Sequence, residues 1–385
     1  MNHDLKDMTL EELERVVVGL GQKGTPNATH RVREPKKYLA GYLFKFIHAQ
    51  AGRDLAAIST LSKAFRAQLA EQGYFISQLK VVDCLTDPDG SAKYLFELAD
   101  GERIESVLLP DEDRTTLCVS TQVGCPMGCA FCATAKIPFR RNLTAGEIVD
   151  QVYVVEGAGL KCEVPSGKDS ALETSNLKLQ TPDARPRVTN IVYMGMGEPL
   201  QNYDAVLRSI RILNHSSGRN IGIRHITIST CGVAPAIRQL AREEVRPRLA
   251  ISLSAPSDAL RDRLMPINHK YPLDDLLAAV RAYQDETGQR VTFEYVLIEK
   301  INDTVNHAKL LVKLLRGLMY NVNLIEHNPF SGCEFVGSSR ERIQRFADVL
   351  KEAGVEATIR FRMGRGIKAA CGQLQAGYSP RRQNE

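Results

Sequence analysis

The spacing of apolar residues changes twice along the first third of the chain. From about residue 9 to residue 73 apolar side chains recur every three or four positions, as at Leu10, Leu13, Val16 and Val17, which predicts amphipathic helices. Between residues 76 and 109 short alternating runs are separated by Asp-Pro-Asp-Gly and Asp-Gly turns, a pattern typical of antiparallel strands. We therefore predict a helical domain over residues 1–75 and a small antiparallel β extension over residues 76–115.

After residue 116, apolar strands alternate with amphipathic helices. Six strand-like runs occupy residues 117–120, 188–194, 225–229, 248–253, 291–298 and 322–325. Helical stretches between them occupy residues 144–156, 203–213, 235–242, 273–286 and 305–318. Six β/α units predict a parallel sheet with its chemistry at the C-terminal ends of the strands. They are too few to close an eight-fold barrel, so we predict an α/β fold, an open TIM-like partial (β/α)6 barrel, over 116–345, and a C-terminal segment over 346–385.

Composition predicts one flexible segment and leaves most function classes open. Residues 157–187 are rich in Ser, Lys, Pro, Asp and Thr and lack periodicity, which predicts a flexible surface insertion. With 43% apolar and 25% charged residues and no long apolar run, the sequence predicts an ordinary globular protein without a membrane role. The net charge of +5 is compatible with nucleic-acid binding and does not establish it.

The strongest chemical signal is the C-x3-C-x2-C spacing of Cys125, Cys129 and Cys132. Iron–sulfur cubanes are normally held by four thiolates, so three would leave one iron open for a substrate or cofactor, as an open position does in catalytic zinc sites. A zinc site remains the alternative, although no second C-x2-C or H-x3-H pair follows Cys132. The odd number of nine cysteines and the polar first eight residues favour a reducing, cytoplasmic location over a disulfide framework.

Further polar residues follow the predicted strands. Gly197 and Glu198 end the second strand, where glycine lets a ligand approach the backbone and the carboxylate can accept from an ammonium group. A simple strand-to-loop turn explains this run equally well. Ser229, Ser252 and Ser254 lie at the ends of the third and fourth strands, so we expect their hydroxyls on the same rim.

Six sequence blocks, taken in order, resemble a known family. They are Thr116-Leu-Cys-Val-Ser-Thr-Gln-Val-Gly-Cys125, Arg140-Arg-Asn-Leu143, Gly195-Met-Gly-Glu-Pro-Leu200, Pro266-Ile-Asn268, Asn328-Pro-Phe330 and Ala369-Ala-Cys-Gly-Gln-Leu374. Together they are similar to the RlmN/Cfr family of radical S-adenosylmethionine (radical SAM) RNA adenine methyltransferases. The resemblance covers nearly the whole chain and is strongest between residues 104 and 374. It departs from the family pattern at Ser254, His327 and Arg365-Gly366.

The resemblance implies methylation of C2 of adenosine in 23S rRNA and tRNA, with a [4Fe–4S] cluster on the three loop cysteines. The contacts it implies for S-adenosylmethionine, used twice per turnover, are Gly197, Glu198, Ser229, Ser252, Leu253, Ser254 and Asn328. Two alternatives stay open: C8 methylation of the Cfr type, and a non-catalytic zinc-stabilised RNA-binding protein. The family also implies an RNA-binding role for the helical region, an electron donor such as flavodoxin, and a monomer.

Cys371, Cys118 and Glu105 receive roles only through the resemblance. Without it, each lone cysteine would be read as a small buried residue, and Glu105 as an exposed strand carboxylate. Cys371 would take a methyl group from one S-adenosylmethionine, and a 5′-deoxyadenosyl radical from a second would remove a hydrogen from that S-methyl group. Glu105 would remove the C2 proton of the RNA adduct, and Cys118 would release the product by forming a disulfide with Cys371. A radical is required because C2 of adenine has no lone pair with which to attack a sulfonium.

Overall fold

The computed structural model describes residues 3–22, 37–157, 187–360, 364 and 366–376, and the interior of the predicted insertion lies outside these ranges. The first elements are β1 (His3–Asp4), α1 (Leu10–Gln22), α2 (Tyr38–Phe44, continued by a π-helical turn at Lys45–Ala49) and α3 (Lys63–Glu71). The predicted helical character is therefore confirmed. α3 begins at Lys63 because Ser62 Oγ accepts from the amide of Phe65, as an N-cap does.

The predicted antiparallel extension is present. After β2 (Tyr74–Phe75) come β3 (Lys80–Thr86), β4 (Ala92–Glu97) and β5 (Arg103–Asp111), and β3, β4 and β5 pair in antiparallel order. β5 also pairs antiparallel with β6 (Arg114–Cys118). Because β6 is the first strand of the parallel region, the extension and the barrel share one ten-stranded sheet.

The parallel region contains every predicted strand and one more. Its further elements are β7 (Gln122–Val123), β8 (Arg141–Asn142), α4 (Ala145–Gly157), β9 (Asn190–Tyr193), α5 (Tyr203–Asn214), β10 (Ile226–Thr230), α6 (Ala234–Leu240), β11 (Arg248–Ser252), α7 (Asp258–Leu264), α8 (Leu273–Thr287), β12 (Val291–Leu297), α9 (Val305–Leu314), β13 (Tyr320–Glu326), α10 (Arg340–Glu352) and β14 (Ala357–Arg360). β6 and β9 to β14 are all parallel, and β3 and β14 form the two edges of the sheet. The partial barrel is therefore open, with β14 as an unpredicted seventh parallel strand.

The N-terminal region packs directly on the barrel. One continuous set of buried apolar side chains joins the N-terminal helices to the sheet. Lys6 and Asp150 form a buried ion pair of 2.6 Å between the N-terminal segment and α4, and Asp150 also accepts from the amide of Leu79 at 2.7 Å. Of the helices described, none is both long and apolar enough to cross a membrane.

Candidate active site

Nine of the predicted site residues line one cavity at the C-terminal ends of the parallel strands. The predicted residues in its lining are Cys125, Cys129, Cys132, Gly197, Glu198, Ser229, Ser252, Asn328 and Cys371. Parallel strands end at the same edge of a sheet, so residues far apart in sequence meet here as the strand pattern predicted.

The cysteine loop lies between β7 and β8, which pair in antiparallel order. Its first turn requires glycine, because Gly124 has a φ of +75° and a β-carbon there would lie 2.3 Å from the carbonyl oxygen of Pro138. The amide of Cys132 donates to the carbonyl of Cys129 at 3.1 Å, and the amide of Ala130 donates to the carbonyl of Leu264 at 2.9 Å. The loop is therefore fixed both internally and to α7.

The three loop thiols line one cavity, and a cubane binds its thiolates to separate irons. Burial raises the pKa of the Cys125 thiol to about 12, and repulsion from Cys132 and Glu198 adds to the rise. These thiols are therefore protonated until a metal displaces their protons.

Gly197 and Glu198 form a rigid turn after β9. Gly197 has a φ of +103°, and a β-carbon there would lie 2.6 Å from Cβ of Gln122. The amide of Glu198 donates to Gln122 Oε1 at 2.9 Å, and the Glu198 carboxylate accepts from the amides of Leu200 at 3.0 Å and Cys231 at 2.8 Å. Burial raises the pKa of this carboxyl group. The turn thus holds one oriented carboxyl group on the cavity wall.

Glu294, on β12, lines the same cavity and was not predicted from the sequence. Ser229 Oγ donates to Glu294 Oε2 at 2.7 Å, and Ser252 Oγ lies 3.5 Å from the same oxygen. Burial raises the pKa of Glu294. The sequence feature that could have indicated Glu294 is that it is the single charged residue in the strand Val291–Leu297.

Leu253 and Ser254 lie behind the cavity and do not line it. Both are fully buried. Ser254 has a φ of +53°, its hydroxyl accepts from the amide of Val296 at 3.3 Å, and its carbonyl accepts from Asn302 Nδ2 at 2.8 Å. In this structure Ser254 therefore supports the neighbouring strand.

The segment that carries Cys371 is tied to the cysteine loop and to the loop after β13. The amide of Ala133 donates to the carbonyl of Gly372 at 2.7 Å, and Asn328 Nδ2 donates to the carbonyl of Cys371 at 3.1 Å. Cys371 is exposed to the cavity. Desolvation by the surrounding protein raises the pKa of the Cys371 thiol to about 11, and the Glu294 carboxylate adds to that rise.

Cys118 and Glu105 lie beside the cavity and do not line it. Burial raises the pKa of the Cys118 thiol far above its usual value, and repulsion from Cys371 adds to the rise. Both are free thiols. Glu105 is buried, not exposed as its strand pattern suggested. Its carboxylate lies 3.2 Å from Lys93 Nζ and accepts from the amide of Gln375 at 2.7 Å.

Comparison with known proteins assigns the chain to a family. Residues 119–315 match the radical SAM superfamily. The dual-specificity RNA methyltransferase RlmN of Syntrophobacter fumaroxidans is 43% identical over 374 residues, which cover 97% of this chain and 98% of that protein. The chain belongs to the RlmN family. A radical SAM methyltransferase structure from Sphaerobacter thermophilus, also 43% identical, matches with a TM-score of 0.83 over 97% of this chain and 99% of its own.

Membership of the RlmN family confirms the resemblance and the fold class predicted from the sequence. It makes the chain a radical SAM RNA methyltransferase, and therefore an enzyme. The superfamily chemistry implies S-adenosylmethionine and a [4Fe–4S] cluster, which agrees with three buried thiols and a carboxyl group around one cavity.

Proposed function

We propose that this enzyme methylates C2 of adenosine in 23S rRNA and tRNA, with Cys371 as the methyl carrier. The observation that carries the proposal is that the Cys371 thiol opens into the cavity lined by the three loop cysteines and Glu198. The name dual-specificity RNA methyltransferase, borne by a relative with 43% identity, supports two classes of RNA substrate. A zinc-stabilised RNA-binding protein would have no use for Cys371 and Glu198 at this place.

In this proposal the cavity holds both cofactors. Cys125, Cys129 and Cys132 would bind the cluster. The residues proposed to contact S-adenosylmethionine are Gly197, Glu198, Ser229, Ser252 and Asn328. Leu253 and Ser254, which the resemblance also implied, lie behind the cavity and would support its wall. Glu198 would accept from the ammonium group, because its carboxylate lines the cavity in a fixed orientation and charge-assisted hydrogen bonds are the strong ones. When bound, the cofactors supply a sulfonium methyl group and a carbon radical from two molecules of S-adenosylmethionine per turnover.

The chain's own groups perform the remaining bond changes. The Cys371 sulfur loses its proton and would take the sulfonium methyl group, with S-adenosylhomocysteine as the leaving group. After a hydrogen is removed from this S-methyl group, its carbon would join C2 of the adenine ring, and the unpaired electron left on the ring would pass to the oxidised cluster. Glu105 takes the C2 proton, a role supported by Lys93 and the Gln375 amide, which fix the position of its side chain. The Cys118 thiolate then attacks the Cys371 sulfur. The sulfur–carbon bond breaks, its electron pair stays on the carbon, and protonation of that carbon completes the methyl group on the RNA.

Two single substitutions separate these duties. Cys118→Ala should block only the release step, so the protein should remain covalently attached to RNA. Cys371→Ala should remove the methyl carrier, so neither methylated RNA nor a covalent complex should form. Each variant is expressed in growing cells, purified under denaturing conditions and tested for nuclease-sensitive bound RNA.

Cys333→Ala is a matched control for loss of a cysteine without an assigned duty, and it should behave like the wild type. If Cys118→Ala emerges free of RNA and fully active, Cys118 is only a core residue and the proposed release step is wrong.

We further propose that the helical region, residues 1–75, binds the RNA. The exposed face of α2 carries Lys37, Tyr38, Tyr42 and Lys45, a combination suited to phosphates and unstacked bases. Replacing both lysines by glutamate should weaken RNA binding and reduce its dependence on salt, measured by filter binding at several salt concentrations. A flavodoxin-type electron donor, a monomeric state and a cytoplasmic location remain predictions from the family.

A further inference from the structure

Arg261, on α7, is a fully buried guanidinium group that the proposed reaction does not use. Its Nη2 donates to the carbonyl of Cys231 at 2.6 Å and lies 3.5 Å from the carbonyl of Ser252, and its Nη1 donates to Asn268 Oδ1 at 3.0 Å. These acceptors are all neutral. Its Nε is buried without an acceptor in the part of the chain that the structure describes.

Among the residues that the structure describes, carboxylates connect to Arg261 through an intermediate amide. Asn268 Nδ2 donates to Asp258 Oδ1 at 2.9 Å and to Asp262 Oδ1 at 2.7 Å, while its oxygen faces Arg261. A guanidinium stays protonated when buried because its intrinsic pKa is very high. A buried charge that lacks a directly bonded counter-charge is costly to maintain. A negative group close to Arg261, in addition to Asp258 and Asp262, would explain why a guanidinium is buried here.

The cysteine loop would supply that negative group, because a cluster bound to its three thiolates carries a net negative charge. The amide of Ala130 donates to the carbonyl of Leu264, in the helix that carries Arg261. Cys129 packs against the buried set of side chains that includes Cys231 and Leu264, and Arg261 donates to the carbonyl of Cys231. Arg261 therefore lies on the α7 side of the cysteine loop, close to Cys129.

We propose that Arg261 is a positioning residue for the iron–sulfur cluster, whose buried positive charge raises the reduction potential of the cluster. Three thiolates give an oxidised cubane a net negative charge, and reduction adds one more. A nearby cation in a water-poor environment stabilises the more negative state more strongly, and net charge and surroundings are known determinants of cluster potential. The inference rests on the proposed function, which places the cluster on these cysteines.

The test is an anaerobic redox titration of full-length, cluster-loaded enzyme, monitored by the electron paramagnetic resonance signal of the reduced cluster. Arg261→Gln keeps a hydrogen-bonding side chain and loses the charge, so the potential should shift to more negative values. Arg261→Lys keeps the charge and should restore most of the wild-type potential. Arg263→Gln is the matched control, because Arg263 is exposed on the same helix and its loss should leave the potential unchanged.

A wild-type potential in cluster-loaded Arg261→Gln would overturn the proposal and leave Arg261 a purely structural residue. If that variant does not bind iron, the double substitution Asp258→Asn and Asp262→Asn gives an independent test. It leaves Arg261 less compensated, so the potential should move to more positive values, and an unchanged potential would reject the inference. Absence of iron from the wild type would instead refute the proposed function.

Discussion

Replacing Gly197 by alanine is expected to destabilise the enzyme more than the same change at Gly101. Both glycines have a positive φ, +103° and +82°, and such backbone strain costs about 1–3 kcal/mol in a residue with a side chain. At Gly197 a β-carbon would also lie 2.6 Å from Cβ of Gln122, whereas at Gly101 it would meet nothing within 4 Å. Overpacking adds about 1–3 kcal/mol. We therefore expect a loss of about 2–6 kcal/mol at Gly197 and about 1–3 kcal/mol at Gly101.

Urea unfolding of the two variants without cofactors measures this difference in the free energy of unfolding. The comparison requires that both variants keep the wild-type slope of that free energy against urea concentration. Gln122 also accepts from the amide of Glu198, so its displacement at Gly197→Ala should weaken S-adenosylmethionine binding, measured by equilibrium dialysis with the cluster-loaded enzyme. Equal destabilisation by the two substitutions would refute the reasoning, because it would show that Gln122 moves aside without cost.

Three further predictions concern the metal content and two buried carboxylates. Protein purified without air should be brown with about four irons per chain, and alanine at any of the three loop cysteines should abolish the colour; stoichiometric zinc without iron would contradict this. Asp150→Asn leaves the buried Lys6 charge unpaired and should lower the free energy of unfolding by about 3–5 kcal/mol, whereas the exposed Asp111→Asn should change it little in the same urea assay. Burial raises the pKa of Asp303, but hydrogen bonds from Arg342 outweigh this effect and hold it below its usual value. The stabilisation from Asp303 is therefore present above about pH 4 and lost below it, so the stability difference between wild type and Asp303→Asn should close at acid pH; a constant difference would contradict it.

The sequence was sufficient for the architecture because hydrophobic periodicity is a local property. Six apolar runs predicted six strands, and the position of Cys125 after the first of them placed the site at the correct edge of the sheet. β14 was missed because its four residues, Ala357-Thr-Ile-Arg360, lie partly exposed at the sheet edge and include only one large apolar side chain, Ile359. Such a run does not stand out as apolar in the sequence.

The environment of individual polar residues could not be predicted. Glu105 was expected to be exposed, yet Lys93 and the segment at Gln375 cover it. Arg261 looks like an ordinary charged residue until α7 packs against the strand ends, and the lone charge of Glu294 in its strand did not reveal that its partner would be Ser229. Their burial depends on contacts between distant parts of the chain, which no local pattern records.

The position of the methyl group on RNA tests the central claim most directly. Nucleosides from the 23S rRNA and tRNA of cells with and without the gene are compared by mass spectrometry against C2- and C8-methyladenosine standards. We predict that C2-methyladenosine is present in both RNAs of the gene-bearing cells and absent from both without the gene. Gene-dependent C8-methyladenosine, or no gene-dependent change in either nucleoside, would contradict the proposed function.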